Sequence, residues 1–220
     1  MPEQVEGRIL PSMRKLHVLF FALTLSLTLG AADWPQFRFG ANRGAASPEV
    51  LPTQLHLQWT REFATPSPAF PGEVRLRYDA TYEPVVMGQT IFVPSMVTDS
   101  VSALDTATGE VRWRFFTSGP VRFAPASDGD QVFVGSDDGY LYCLNVLSGK
   151  LLWKFRGSPS NRKVLGNGHM ISLWPVRGGP VTRDGKVWFA AGVWPMEGVF
   201  IHCLDARTGA LRWRERLGGN

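Results

Sequence analysis

Three segments of the chain repeat the same order of apolar and polar positions: Leu104–Trp113, Leu144–Trp153 and Leu204–Trp213. Each has Leu, then Asp or Asn, then Thr-Gly or Ser-Gly, with Trp four residues after the Gly. Asp and Asn side chains accept hydrogen bonds from following backbone amides, and Gly adopts the positive φ of a tight turn. Apolar and basic residues alternate after the turn, as in a half-buried strand. The pattern therefore predicts a strand, a turn and a second strand in each segment.

Two further strand-like runs precede each segment, and Asp-Gly or Gly separates them, as in a hairpin. The three units, residues 81–116, 121–156 and 172–216, are therefore predicted to hold four antiparallel strands each. Their Trp residues are 40 and 60 positions apart. A period near 40 with four strands per unit is typical of propeller blades. The predicted fold is all-β, a partial β-propeller of about three blades in an open arc.

The third unit is longer than the others because of the segment between Arg156 and Trp174. This segment includes Gly166–Pro175, which is rich in Gly and aromatic residues. Long loops inside tight repeats often carry function. We expect a packed surface loop here, with a functional loop as the alternative.

Both cysteines occupy one position of the repeat. Cys143 and Cys203 each lie two residues before the turn Asn or Asp, where the first unit has Ala103. This predicts a small apolar core position, because free Cys behaves as a small hydrophobic residue. Equivalent positions of stacked sheets are about 10 Å apart, too far for a disulfide. Two buried free thiols are expected.

The N-terminus has the features of an export signal. Arg14 and Lys15 precede the apolar run Leu16–Leu29, and small residues follow before Asp33. We predict a signal peptide over residues 1–32 with cleavage before Asp33, and a periplasmic or secreted protein. The alternatives are a retained anchor and a true start at Met13. Residues 33–56 form a lead-in before the propeller region, residues 57–217.

The three motifs resemble those of the quinoprotein-like β-propeller family, whose members include dehydrogenases that use pyrroloquinoline quinone (PQQ) and BamB-type envelope scaffolds. Residues Trp34–Glu49 also resemble the lead-in of exported propellers of this kind. The resemblance implies that Trp113, Trp153 and Trp213 each pack on the next blade. It also implies a binding platform or, alternatively, a PQQ enzyme with a divalent metal.

The favoured function is an exported, non-catalytic binding or scaffolding module of the cell envelope with a protein partner. No catalytic, cofactor-binding or metal residues are predicted, because Glu197 and Asp184 are the only carboxylates near the unusual segment and no metal-spaced cluster is present. A fragment of a PQQ-dependent dehydrogenase is one alternative. A carbohydrate or small-molecule binder is another, since aromatic rings with nearby cations suit such ligands. Its candidate residues are Trp174, Trp188, Trp194, His169 and Arg177, with blade core as the competing interpretation of Trp188.

The basic residues do not indicate nucleic-acid binding. The formal net charge is only +4. Charges on outermost strands commonly prevent edge-to-edge pairing, which accounts for the following residues of the predicted outer strands: Arg112, Arg114, Lys154, Arg212, Arg214 and Arg216. No stable membrane span is expected after signal cleavage.

One segment has no partner strands in the repeat pattern. Leu57–Phe63 resembles an outer strand, but no Asp or Thr-Gly turn precedes it. Three units and one strand cannot close a ring of about 4–8 blades. We therefore expect further blades beyond Asn220 or self-association, with the 57–63 strand unpaired or wrongly docked in the isolated chain.

Overall fold

The computed structural model describes residues 33–68, 72–73, 75 and 81–218, and the predicted signal segment 1–32 lies outside this part. Three four-stranded antiparallel sheets hold their strands in sequence order. The first sheet has β1 (Val85–Met87), β2 (Thr90–Ser95), β3 (Ser100–Asp105) and β4 (Val111–Phe116). The second has β5 (Ala126–Asp128), β6 (Gln131–Gly135), β7 (Tyr140–Asn145) and β8 (Leu151–Arg156).

The hairpin β9 (Lys163–Gly166) and β10 (His169–Ser172) follows. The third sheet has β11 (Val181–Arg183), β12 (Lys186–Ala191), β13 (Val199–Asp205) and β14 (Leu211–Leu217), with the short 3-10 helix Pro195–Glu197 between β12 and β13. The three sheets are blades of an unclosed β-propeller, which confirms the predicted fold class. No helix of the described residues has the length and apolarity needed to cross a membrane.

The repeated turns form by the predicted chemistry. Asp105 Oδ1 accepts hydrogen bonds from the amides of Ala107 and Thr108 at 2.8 and 2.9 Å. Asn145 accepts one from Ser148, and Asp205 accepts one from Thr208. Side-chain bonding from Arg112 and these amide contacts lower the pKa of Asp105 to about 2.

The core lies between the blades. One buried cluster joins β2 and β3 to β6 and β7, and a second joins β6 and β7 to β12 and β13. On β6, Val132 and Val134 belong to the first cluster and Phe133 to the second. The middle blade is thus buried on both faces, which explains why its inner strands read as continuous apolar runs.

The repeated turns of the second and third blades each receive a Trp ring from the outer strand of the preceding blade. Trp113 Nε1 donates to the Val146 carbonyl at 2.9 Å, and Trp153 Nε1 donates to the Ala206 carbonyl at 3.1 Å. The rings lie on Gly149 and Gly209, where an added Cβ would come within 2.6 and 2.7 Å of ring carbons. Both glycines have positive φ, so the turn needs Gly for its backbone conformation and for the close ring contact.

The segment 57–63 docks in the same way. Trp59 Nε1 donates to the Thr106 carbonyl at 2.9 Å, and its ring lies on Gly109. The segment forms no strand. It is unpaired as expected, but the docking of Trp59 follows the repeat and is not aberrant.

The segment between the second and third blades is packed, as expected, but it forms a β-hairpin and not a loop. Its β9–β10 hairpin pairs in register from Lys163 with Ser172 to Gly166 with His169. Ile171 and Trp174 are buried in or beside the core between the second and third blades. The inserted hairpin is therefore part of the packed structure.

The two cysteines are free and buried, as predicted. Cys143 lies opposite Trp153, Cys203 opposite Trp213 and Ala103 opposite Trp113. Burial raises the pKa of the Cys143 thiol to about 12 and also raises that of Cys203.

We therefore expect both thiols to resist alkylation in the folded protein, because the thiolate is the reactive form. Iodoacetamide labelling followed by mass spectrometry should show labelling only after denaturation. A Cys143–Cys203 crosslink in unreduced protein would contradict the core assignment of both residues.

Candidate functional site

A central segment, residues 33–45, contacts the innermost strand of every blade. Trp34 exchanges two backbone hydrogen bonds with Val86 on β1, each 2.9 Å. The Pro35 carbonyl accepts hydrogen bonds from the Ser127 amide and hydroxyl on β5, at 2.7 and 3.1 Å. The central segment thus satisfies backbone groups at the inner edges of the first two blades.

Gln36 makes the equivalent contact with the third blade. Its amide oxygen accepts from the Thr182 amide at 3.1 Å, and its Nε2 donates to the Thr182 carbonyl at 3.4 Å. Gln36 is buried. Its carboxamide therefore makes, with the Thr182 backbone, the two hydrogen bonds that a residue of a neighbouring strand would make. Arg43 adds a 2.8 Å hydrogen bond from Nη2 to the Gly179 carbonyl, just before this strand.

A buried carboxylate lies at the end of the sheets where the inter-blade linkers run, here called the linker end. Asp137, in the β6–β7 turn, has a side chain only 1% exposed. It accepts from Arg122 Nε at 2.6 Å and from Arg177 Nη2 at 2.9 Å. Arg122 comes from the linker between the first two blades and Arg177 from the linker before the third. Asp137 therefore ties both linkers to the middle blade.

The neighbouring carboxylate, Asp138, also accepts several hydrogen bonds within the protein. It accepts from the amides of Ser118 and Tyr140 at 3.0 Å each. The Tyr142 hydroxyl donates to it at 2.5 Å. Burial and the charge of Asp138 strongly raise the pKa of the Tyr142 phenol. Asp138 has the role of a turn and linker cap.

A polar groove of about 320 Å³ opens beside Asp138, between the outer strand β8 and the β9–β10 hairpin. Its wall residues include Lys154 on β8, Lys163 on β9 and Asn161 before the hairpin. Lys154 Nζ lies 5.0 Å from the centre of the Tyr140 ring. The groove combines two ammonium groups with hydrogen-bonding side chains.

A buried histidine lies between the second and third blades. His202, on β13, is 0% exposed. Its ring stacks on Phe189 with centroids 4.7 Å apart and meets Phe155 at 5.4 Å. Burial, with a smaller contribution from the positive charge of Arg214, lowers the pKa of His202 to about 4. The neutral imidazole is therefore part of the packed core.

This histidine makes a testable contribution to the pH dependence of stability. An unfolded His has a pKa near 6.5, so between about pH 6.5 and pH 4 the unfolded chain binds the extra proton. The stabilising contribution of the neutral His202 is complete above pH 6.5 and decreases as the pH falls through this window, by on the order of 3 kcal/mol. Urea denaturation of wild type and His202→Phe at several pH values should show the difference.

Phe is the matched replacement because the second blade has Tyr142 at this position, packed on Phe115. The variant should lose the part of the pH dependence that His202 causes, while carboxylate titrations remain in both proteins. Parallel stability profiles of the two proteins would show that His202 does not titrate as described.

The side chains that the sequence suggested as a carbohydrate or small-molecule site lie in different environments of the structure. Trp174 is buried and donates from Nε1 to the Glu197 carbonyl at 2.8 Å. His169 Nδ1 is 3.5 Å from Asp99 Oδ2. Trp188 lies half-buried within β12, and Trp194, which is 39% exposed, precedes the 3-10 helix. Of these candidates, only Arg177 belongs to the Asp137 cluster.

Several residues at these sites were not identified from the sequence. Asp137 lies outside the predicted hairpin signal, because the one Asp directly before Gly139, Asp138, is sufficient for the turn. Arg122 and Gln36 carry no local signal, because their partners are 15 and 146 positions away. A second consecutive Asp was the one clue available.

Among the described residues, no group of three His, Cys, Asp or Glu side chains is placed to hold a divalent ion. Asp137 is neutralised by arginines, and Asp138 is used by donors of its own turn and linker. The central segment contacts one residue on the innermost strand of each blade, Val86, Ser127 and Thr182. These residues therefore do not fit a PQQ–metal pair.

The three four-stranded blades, with Trp rings that lie on the turn of the next blade, define a PQQ-like β-propeller. Residues 56–173 match the family described as outer membrane protein assembly factor BamB, a match over more than half of the chain, and the protein belongs to this family.

Curated relatives include enzymes. The chain is 32% identical over 127 residues to the dehydrogenase subunit of the quinone alcohol dehydrogenase of Gluconobacter oxydans, covering 52% of this chain and 16% of that protein. It is 25% identical over 121 residues to the tetrathionate hydrolase of Acidithiobacillus ferrooxidans, covering 55% of this chain and 21% of that protein. The chain thus spans at most 21% of the length of these two relatives.

A solved structure with the same fold is the quinohemoprotein alcohol dehydrogenase of Comamonas testosteroni. The TM-score is 0.60 at 23% identity, and the alignment covers 84% of this chain and 27% of that chain. At this identity the likeness shows the fold.

Proposed function

We propose that this protein is an exported, non-catalytic β-propeller that acts as a binding or scaffolding module of the cell envelope. The observation that carries the proposal is the central segment, which occupies the inner edges of all three blades through Trp34, Pro35 and Gln36. In addition, Asp137 and Asp138 serve to fix the linkers. A rigid stack of blades with exposed loops is a common binding platform, and the family's BamB description supports a partner in the envelope.

Export is part of this proposal. Cleavage before Asp33 would begin the mature chain at the central segment, since Asp33 Oδ1 accepts from the Gly88 amide at 2.6 Å and Trp34 pairs with Val86. Expression of the full chain in a Gram-negative host, followed by fractionation and N-terminal sequencing, tests it. A periplasmic product starting at Asp33 would support export, and a cytoplasmic product starting at Met1 or Met13 would refute it.

We further propose that the third blade receives another blade, from a longer product or a second copy. Trp213 is 46% exposed, whereas Trp59, Trp113 and Trp153 each lie on a Gly of a following turn. The β14 residues are exposed along the whole strand. Light scattering after size-exclusion chromatography should show self-association of the isolated chain, and a stable monomer that binds no apolar dye would contradict this part of the proposal.

The second candidate is a piece of a quinoprotein dehydrogenase, favoured by the 32% identity to the quinone alcohol dehydrogenase subunit. The deciding experiment titrates the protein with PQQ in the presence of Ca²⁺ or La³⁺, and measures bound quinone absorbance and dye-linked alcohol oxidation. We expect neither binding nor turnover. Stoichiometric PQQ binding with turnover would replace the scaffold proposal with the enzyme.

A further inference from the structure

The β9–β10 hairpin has two faces with opposite environments. Val164 and Ile171 pair across the strands and face inward, Val164 against the core cluster between the second and third blades. His169 approaches Asp99, in the turn between β2 and β3 of the first blade. The Ser172 amide donates to the Asp137 carbonyl at 2.7 Å. The hairpin is therefore held firmly against the linker end of the sheets.

The other face is apolar and exposed at its centre, at Leu165 and Met170, whereas Ser172 at its base is buried. Side chains alternate along strands, and directly paired residues share a face, so Lys163, Leu165, Met170 and Ser172 lie on the same side. Leu165 is 74% exposed and Met170 is 54% exposed. This pair contributes little to the core, and Met is over-used at adaptable binding surfaces.

The polar groove continues this face. Lys163 and Ser172, at the base of the same face, line the groove together with Lys154 from the opposite wall. Arg156 lies close by and donates to Asn161 at 3.1 Å. Asp138, the carboxylate in the lining, already accepts hydrogen bonds from two amides and from Tyr142. With two lysines and one carboxylate in its lining, the groove carries net positive charge, and Lys163 shares the hairpin face of the exposed apolar pair.

We propose that this surface, Leu165 and Met170 with the groove between Lys154 and Lys163, docks an acidic segment of a partner protein. An apolar side chain of the partner packs on Leu165 and Met170, and a neighbouring Asp or Glu enters the groove. The proposal rests on the binding function proposed above and specifies its surface. Charge complementarity determines the chemistry of the partner and makes the association weaker at high salt.

A protein segment fits this surface better than a membrane does. The ammonium groups line a concave groove of about 320 Å³, sufficient for a side chain, and only two apolar residues flank it. A membrane-binding surface instead needs a larger apolar face that inserts among lipids. Binding of the protein to vesicles is therefore an outcome that the experiment must separate.

The test is selection of peptides from a random 12-residue display library on the full chain, with affinities then measured by fluorescence anisotropy. The enriched peptides should combine Asp or Glu with Leu, Phe or Trp. They should bind at least tenfold more weakly to Lys163→Glu and to Met170→Ser, and more weakly in 0.5 M salt than in 0.05 M salt.

Matched controls are Lys150→Glu and Leu147→Ser, in the β7–β8 turn at the other end of the blade; Leu147 is 76% exposed, close to the value for Leu165. These variants should bind the peptides as wild type does. The proposal would be overturned if no peptides were enriched, if the enriched peptides lacked acidic residues, or if the control variants lost binding equally. It would also be overturned if the hairpin bound vesicles with 30% anionic lipid instead of peptides. The peptide selection tests only this surface, whereas the PQQ titration tests the scaffold function. Failure of one proposal can therefore be distinguished from failure of the other.

Discussion

Trp153→Ala should lower the free energy of unfolding by roughly 3–5 kcal/mol, as large-to-small substitutions of packed aromatic residues do. The ring lies on Gly209 of the next blade, donates to the Ala206 carbonyl at 3.1 Å and packs against Phe133 at 5.8 Å. Its removal leaves a cavity between the second and third blades and an unpaired carbonyl. Urea denaturation followed by far-UV circular dichroism measures the effect.

Trp213→Ala is the matched control in the same chain. Trp213 occupies the same repeat position but is 46% exposed, with no following turn among the described residues. Its replacement should cost less than about 1 kcal/mol in the monomer, in line with surface substitutions. Equal losses for both variants would show that contact with the next blade is not the source of the Trp153 effect.

Asp137→Ala is expected to have a similarly large effect, on the order of 3–5 kcal/mol. The substitution removes a carboxylate partner of Arg122, whose side chain is only 2% exposed. Water cannot replace this contact to the buried guanidinium without opening the linker end. Arg177, at 30% side-chain exposure, can turn to solvent and should contribute less.

The control for this prediction is Asp184→Asn. Asp184 pairs with Arg183 at 3.3 Å on the surface, where both side chains are more than 70% exposed. Exposed pairs of this kind contribute about 0–1 kcal/mol. Denaturation midpoints should therefore fall strongly for Asp137→Ala and remain near wild type for Asp184→Asn. A wild-type midpoint for Asp137→Ala would refute the role of this cluster in joining the linkers.

Most of the blade architecture could be predicted from the sequence because its determinants are local. Asp105, Gly109 and Trp113 lie within nine consecutive positions, and their spacing specifies the turn and the outer strand. The shared position of Cys143 and Cys203 predicted free, buried thiols because one repeat position has one environment in every blade. The fold class follows from three copies of the same unit.

The candidate sites could not be predicted in the same way. The β9–β10 hairpin was expected to be a loop because Gly166, Asn167 and Gly168 interrupt a short run without clear alternation. Its strands are stabilised by packing of Val164 against the core between the second and third blades and by burial of Ile171. The pairing of Trp59 with Gly109 also depends on contact between segments 50 positions apart.

The sequence alone determined the local units of this protein: the turns, the strand order within each blade, the Trp rings and the small core positions. The tertiary structure alone decided how distant residues meet, as in the contact of Gln36 with Thr182 and that of Asp137 with Arg122 and Arg177. The physical reason is that turn and strand formation depend on neighbouring residues. Buried polar groups, in contrast, need hydrogen-bond partners that can be distant in the sequence. Which groups become partners is decided only when the blades assemble.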